Sequence, residues 1–504
     1  MEFLSSTYLY HRIIKNPSYY GVDLGELSEH QLNDDLAINT VVIKFLSTFI
    51  DQCVQLLIDN YCIRAIDETD RSPEKYAKDD CLVNQVLLPT PLGKIASYYY
   101  LSYKTIRLFQ DRLCPSDYET AGKPQFTYYK TSEILDLLTM ATEYVALPVR
   151  HNEELLNAQL AKICPFKMER RSMDSPHTKA NLLLQAHCSR SPFPIVDYYT
   201  DLKTVLDQVL RIFQAMIDIS ALNGSLPTTI NIINLQQSII QASWQNSNQL
   251  LLLLETDHKS TTSEFIDDDL NDASEYYQSR QHQMDAAIAD VRQLPKEICS
   301  LPVLLNFLQQ NSYSNKRNDP KLFKAFTDLF AEYSIHHAIL SRLFKSLTQL
   351  PLINVEKITI HKIVDEDADS EQWLPQEISK ENTFISRRDV EWLQVQPSSD
   401  YCICCHLNRM SFSSNQNSKG QRAYCPSFPK PKSESWYLIL GCEEESELIA
   451  ITRLPCIQPY STQVNLRFRT PDIESSKRIF FTLYLLSDCY IGLDQQYNIP
   501  LQVN

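Results

Sequence analysis

Holding a nucleotide phosphate in a loop takes the spacing Gly-x-x-x-x-Gly-Lys-Ser/Thr, which curls backbone N–H groups around phosphate oxygens while the lysine reaches the outer ones. Eight glycines occur in 504 residues, at Gly21, Gly25, Gly93, Gly122, Gly224, Gly420, Gly441 and Gly492. The two Gly-Lys pairs, Gly93-Lys94 and Gly122-Lys123, continue with Ile95 and Pro124, and neither has a glycine five residues earlier. A phosphate loop of that form is absent from the sequence. Metal chemistry has one candidate: Cys402, Cys404, Cys405 and His406, with Cys425 downstream, are thiolate and imidazole ligand types. No second closely spaced Cys or His pair follows, and DYCICCHLNRM reads as a strand, so no metal is expected. His11, His30, His177 and His187 come with no recognisable nucleophile arrangement. No catalytic residue and no cofactor are expected.

One pair of cations has the spacing of a strand contact. From Thr204 to Ser220, Val205, Val209, Ile212, Phe213, Met216 and Ile217 repeat at helical spacing, and Lys203, Asp207, Arg211, Gln214 and Asp218 fall on the other side. Lys203 and Arg211 are then about 12 Å apart along the helix axis, on the scale of a few phosphate spacings along a nucleic-acid strand. Spacing alone permits phosphate contact. It equally permits a solvated face on which Asp207 and Asp218 cancel part of the field.

Composition limits what surrounds such a pair. Net charge is −15, from 47 Lys plus Arg against 62 Asp plus Glu, so any nucleic-acid groove is a local basic feature in an acidic shell. At 43% hydrophobic the chain can bury several cores. No apolar run approaches the roughly 20 residues of a spanning helix, and the amino terminus lacks a basic flank followed by an apolar stretch. The expectation is an intracellular chain, in nucleus or cytoplasm, with no membrane partner and with unbridged cysteines.

The periodicity predicts a multidomain chain, mainly α with a C-terminal all-β domain. Residues 1–88 read as helices, the longest from Leu36 to Ile58, followed by a hairpin of Tyr61–Ile66 and Val83–Leu88, the outline of a partial winged helix. Residues 89–271 read as a helical bundle. It opens with one helix through PLGKIASYYYLSYKTIRLFQDRL, whose apolar face includes Ile95, Tyr98, Tyr99, Ile106 and Phe109, and closes in an acidic, Ser/Thr-rich stretch after Glu255. Residues 272–350 read as a small helical region, with Lys321, Lys324, Arg342 and Lys345 as its basic face and, of the adjacent His336 and His337, one packed and one solvent-facing. From Pro351 the period changes to two, and seven or eight short strands over 351–504 fit a β-sandwich.

Four strings are more specific than any of these patterns: PLGKIASYYY at 91–100, PVRHNE at 148–153, PHTKANLLLQAHCSR at 176–190 and LYLLSDCYIGLDQQYNIPL at 483–501. With them the chain resembles the carboxy-terminal cassette of Ski2-like superfamily 2 helicases over nearly its whole length. The resemblance implies the order winged helix, helical ratchet bundle, helix-loop-helix and immunoglobulin-like β-sandwich. It implies that Lys203–Ser220 is the ratchet helix, with Lys203 and Arg211 binding nucleic acid, and that Arg150 and His151 brace the bundle. The implied partners are single-stranded RNA or DNA, and a helicase ATPase core or complex subunits. Each active cassette of that family also carries a phosphate loop and a DExH-type box. In this chain Asp365-Glu366-Asp367-Ala368 lacks the histidine, so ATP hydrolysis is not assigned to it, although a full-length parent would be an ATP-dependent helicase. The expected function is thus a noncatalytic accessory module for strand guidance and partner docking. The alternative is a protein-interaction scaffold without nucleic-acid contact, with Trp373 or Trp392 on its partner surface.

Overall fold

Prolines in the first turn and left-handed residues just past the last turn delimit several helices: Pro91, Pro176 and Pro227 begin them, and Tyr100, Arg190 and Ala242 end them. The structure is a computed structural model and describes residues 2–23, 35–67, 85–114, 128–168, 171–246, 250, 300–311, 320–333, 335–363, 376–377, 392–410, 422–425, 427–457, 462–472 and 477–504. It divides into two units, residues 1–111 and 112–504.

The first unit contains α1 (Glu2–Ser5), α2 (Tyr8–Lys15), a 3-10 turn at Pro17–Tyr20, α3 (Asp35–Asp59), β1 (Ile63–Asp67), β2 (Gln85–Pro89), α4 (Pro91–Tyr99) and most of α5 (Tyr103–Leu113). Ile13, Val22, Val42 and Leu46 form its core, with Tyr10, Ile14 and Phe45 packed against them. β1 and β2 pair antiparallel with Ile63 opposite Pro89, as the hairpin reading expected. Two expectations are corrected. The segment Ala37–Asp59 is long and apolar enough to cross a membrane by length and composition, at a mean hydropathy of 1.6, although Lys44 and Asp51 interrupt its apolar run. The single helix expected from Pro91 onward is two, because Tyr100 turns left-handed at φ 54°. Tyr98, assigned to its apolar face, is 81% exposed.

In the second unit α6 (Thr131–Thr139), α7 (Glu153–Ile163), α8 (Pro176–Ser189), α9 (Asp197–Leu222) and α10 (Leu226–Gln241) form a bundle. α8 is buried on all sides from Thr178 to Cys188, and α6, α7, α9 and α10 pack on it. Its polar side chains are satisfied inside the protein: Gln185 donates to Asn181 at 2.7 Å and accepts from the Phe166 amide at 2.8 Å, and Asn181 donates to Asp136 at 2.8 Å. α11 (Leu301–Asn311), α12 (Pro320–Leu329) and α13 (His337–Leu347) follow. The stretch read as continuous after Pro320 is therefore broken, α12 and α13 meeting through Phe323 and Phe326 against Phe344. The basic face drawn along it is divided between two helices. His336 caps α13 and His337 meets the edge of Phe323, and both are exposed rather than one packed. The acidic Ser/Thr-rich stretch, the Asp365–Ala368 loop and Trp373 lie outside the described residues.

Strands follow from Pro351 onward, where the sequence period changes to two. β3 (Leu352–Lys362), β4 (Gln376–Glu377), β5 (Leu393–Val395), β6 (Asp400–Met410), β7 (Trp436–Cys442), β8 (Glu447–Leu454), β9 (Thr462–Arg469), β10 (Lys477–Ser487) and β11 (Gln495–Val503) form two sheets, ordered β5-β11-β10-β7-β8 and β4-β3-β6-β9. Phe468 of one meets Phe481 of the other at 6.0 Å. The cysteine-rich string is β6, with Cys404 accepting from Gln463 at 2.9 Å and Cys405 buried.

α10 is fastened to the β-rich part by a row of glutamines. Gln236 donates to Asp488 O at 2.9 Å, Gln237 to Ser487 O at 2.7 Å and Gln241 to Cys489 O at 2.7 Å. Gln237 also reaches both oxygens of Asp494 at 3.1 Å, and the Ser487 amide donates to that carboxylate at 2.8 Å. Burial nevertheless dominates and pushes the Asp494 carboxyl up to about 6. A carboxyl raised in the folded state stabilises below its unfolded pKa near 4, and that contribution is lost as pH rises through about 6. Asp494→Asn keeps the acceptor without the charge. Its unfolding free energy, relative to the parent, is expected to rise by up to about 2 kcal/mol between pH 4 and pH 7.5. Denaturant titrations at the two pH values measure it, and a difference independent of pH would contradict the buried-charge account.

Candidate nucleic-acid interface on the long bundle helix

The apolar stripe of α9 is buried as its period requires: Val205, Val209, Ile212, Phe213, Met216 and Ile217 are each at 0% exposure. Its N-terminal end is held by a group of four charges from four places in the sequence. Lys179 of α8, fully buried, donates to Glu153 of α7 at 2.6 Å, to Asp201 of α9 at 2.7 Å and to Pro148 O at 2.7 Å. Arg150 donates to Glu153 at 2.8 Å and, through two nitrogens, to Asp201 at 2.7 and 3.2 Å. The Lys179 ammonium also lies 4.9 Å from the Tyr198 ring centroid. Burial pushes the Glu153 and Asp201 carboxyls up, but the hydrogen bonds from Lys179 and Arg150 outweigh it and hold both below the usual carboxylate range. Two positive and two negative charges close on one another, so the group is a clamp between helices rather than an acid–base pair open to a substrate.

Beyond the clamp lie the two cations expected to touch a strand. Lys203 is exposed; Arg211 is half-buried and its Nε donates to Gln208 at 2.8 Å. Burial, with a smaller push from Glu143, raises the Tyr144 hydroxyl above its ordinary value, and the Arg211 charge opposes that shift. The two acids that would cancel their field are engaged elsewhere. Asp207 pairs with Lys430 at 2.7 Å. Asp218 pairs with Arg453 of β8 at 2.7 Å, and Arg453 also donates to Gln214 O at 3.0 Å. The face that the periodicity left to solvent is thus partly docked on the β-rich part, and its acids are neutralised there.

Sequence reasoning found Arg150, although His151, expected to brace the bundle with it, is exposed; it missed Lys179, Glu153, Asp201, Lys430 and Arg453, whose pairings run from 3 to 239 residues in sequence. A lysine inside the apolar run of α8 was the one visible signal, since an unpaired buried ammonium is not tolerated. His177 and His187 each bond a backbone carbonyl, of Thr139 at 2.8 Å and of Ile239 at 2.9 Å, which accounts for them as packing residues. His11 is exposed, His30 lies outside the described residues, and Trp392 is half-buried against Phe480. Among the described residues no cluster of metal-ligating side chains occurs.

The comparisons agree with the resemblance carried by the four strings. The chain is 36% identical over its full length to activating signal cointegrator 1 complex subunit 3 of Homo sapiens, covering 20% of that protein. It is 28% identical over 99% of its length to the DExH-box ATP-dependent RNA helicase DExH14 of Arabidopsis thaliana, covering 17%. To the U5 small nuclear ribonucleoprotein 200 kDa helicase of Homo sapiens it is 24% identical over its full length, covering 18%. The chain thus spans about a fifth of the length of the curated relatives it matches. Residues 89–500, taking in the clamp, α9 and both sheets, match the Sec63 Brl domain, and the chain belongs to that family.

Proposed function

We propose that this chain is a noncatalytic accessory module of a nucleic-acid helicase, in which α9 guides a single strand of RNA while other surfaces dock the ATPase core or complex subunits. In this reading residues 1–88 are a partial winged helix, 89–271 the ratchet bundle, 272–350 a helix-loop-helix region and 351–504 an immunoglobulin-like sandwich. The observation that carries it is the pairing of Asp207 with Lys430 and of Asp218 with Arg453, which offsets the two acids on the helix face that bears Lys203 and Arg211. RNA is chosen because a relative that matches 99% of this chain, and of which the chain covers 17%, is named an RNA helicase. Lys203→Ala plus Arg211→Ala is expected to weaken binding of a single-stranded RNA 12-mer and to lower the slope of log affinity against log salt by about 1.4, for two phosphate contacts at ~0.7 each. Fluorescence anisotropy across a salt series measures both. An affinity unchanged by the double substitution would reject strand guidance by α9. Absence of any measurable RNA binding by the parent chain would favour the scaffold reading, for which Ile43, Phe49 and Leu56 of α3, 43 to 51% exposed, offer an apolar surface.

A further inference from the structure

The string PLGKIASYYYLSYKTIRLF forms a surface that neither the clamp nor α9 uses. From Val86 to Gln110 the sequence holds no Asp or Glu, while Lys94, Lys104 and Arg107 fall within it. In a chain of net charge −15 this is a cationic island. All three cations are exposed; Arg107 pairs with Asp111 at 3.4 Å at the island's edge. Within the island two aromatic rings stand in solvent, Tyr98 at 81% and Tyr100 at 88% exposure.

The local geometry holds them there. Lys94 and Tyr98 are one turn apart on α4 and share a face. The Tyr98 ring stands edge-to-face on Tyr99 at 4.9 Å, and Tyr99 is itself buried, which gives the exposed ring a fixed backing. Past the helix end, Tyr100 N–H donates to Ser97 O at 3.3 Å and Leu101 N–H to Ala96 O at 2.9 Å, the double closure that normally places glycine at the left-handed position. A bulky residue at φ 54° is strained. Glycine would close the same turn without strain but would present no ring. Lys104 then lies 6.0 Å from the Tyr103 centroid on α5.

We propose that the α4–α5 corner is a stacking platform for single-stranded RNA, with bases on Tyr98 and Tyr100 and flanking phosphates on Lys94 and Lys104. Stacking on a π-face and neutralisation of a phosphate are the two interactions that sequence-tolerant strand binding combines. An acidic protein would meet the lysines but would not require the rings. The platform rests on the proposed function for the identity of its ligand alone, and its residues are separate from those of α9.

The test uses the full chain, a fluorescein-labelled U12 RNA and anisotropy. Tyr98→Ala plus Tyr100→Ala is expected to weaken binding at least about tenfold, while Tyr98→Phe plus Tyr100→Phe, which keeps both rings, stays within about twofold. Lys94→Ala plus Lys104→Ala is expected to lower the salt slope by about 1.4. Tyr100→Gly separates folding from binding: the thermal midpoint holds or rises while affinity for U12 falls. The loss on removing the rings persists in a Lys203→Ala plus Arg211→Ala background, so this platform and the α9 contact fail independently. Parent-like binding by the alanine pair, equal losses for the alanine and phenylalanine pairs, or displacement of U12 by poly-glutamate as readily as by unlabelled U12 would each overturn the proposal.

Discussion

Lys179→Met is expected to lower the unfolding free energy by about 3 kcal/mol or more, although it replaces a buried cation with an apolar side chain of similar length. The reason lies in what remains. Glu153 and Asp201 are 2% and 3% exposed, and without Lys179 they share a dry site with Arg150 as their one remaining cation among the four. Breaking a buried ionic group from one side costs about 3–5 kcal/mol because the surviving charge loses its compensation. Two further outcomes distinguish this from a packing defect. Protonating a carboxylate relieves the excess negative charge, so the Lys179→Met deficit shrinks as pH falls from 7 toward 4. Glu153→Gln combined with Lys179→Met costs at least about 1 kcal/mol less than the sum of the two single losses. Denaturant unfolding of the four proteins gives the cycle, and a deficit that is additive and flat with pH would mean that the ammonium acts only as filler. The clamp also fixes α9 at the turn that carries Lys203, so under the proposed strand guidance Lys179→Met is expected to weaken RNA binding although Lys203 and Arg211 are unchanged.

The fold was legible wherever a single element could be read by its own period. β9 alternates locally, β7 is a short apolar run bounded by turns, and α9 carries its stripe within one helix, so each appears without knowledge of neighbours. The boundaries that failed are those set by one residue's backbone. Tyr100 ends α4 in a left-handed conformation that nothing in its side chain announces, and the apolar spacing ran across it into α5. The break between α12 and α13 was hidden in the same way, by a stripe that continued through a turn.

The site was less legible than the fold, for a physical reason. Its electrostatics are settled by pairs that are distant in sequence: Arg453 with Asp218, Lys430 with Asp207, and Lys179 with Asp201. A helical wheel of α9 shows Asp207 and Asp218 as neighbours of Lys203 and Arg211, and only the docked β-rich part reveals that they are engaged. The strings that carried the family resemblance are where such pairs concentrate. Lys179, Asn181, Gln185 and His187 in one string, and the carbonyls of Ser487, Asp488 and Cys489 in another, are buried polar groups that require particular partners. Their specificity as sequence signals and their role as internal fastenings have the same origin.

Gly93→Ala is expected to destabilise the first unit by about 3 kcal/mol, against the trend for its position. Within a helix, alanine is favoured over glycine by about 1 kcal/mol, so propensity alone predicts a gain. A Cβ on Gly93 would instead stand 1.9 Å from the carbonyl oxygen of Cys62 and 2.7 Å from its carbon, a contact with backbone that no rotamer can relieve. That carbonyl cannot easily retreat. It accepts the Thr90 N–H at 3.1 Å and the Thr90 hydroxyl at 3.0 Å, while the same hydroxyl caps α4 by accepting from the Gly93 amide at 2.9 Å. Admitting a methyl group therefore means parting the start of α4 from the residue before β1, losing the cap, worth about 1 kcal/mol, together with the cost of forced overpacking at about 1–3 kcal/mol. Thermal unfolding of the full chain with amide exchange read at residues 91–99 measures it, and the sign decides: a protein stabilised by about 1 kcal/mol would mean that α4 and the Cys62 backbone do not approach. Gly93 precedes Lys94, and of the two demands a Gly-Lys pair can answer, a phosphate or a neighbouring backbone, this contact assigns the second. Thr90→Ala in the Gly93→Ala background is then expected to cost less than in the parent, because the cap has already been lost.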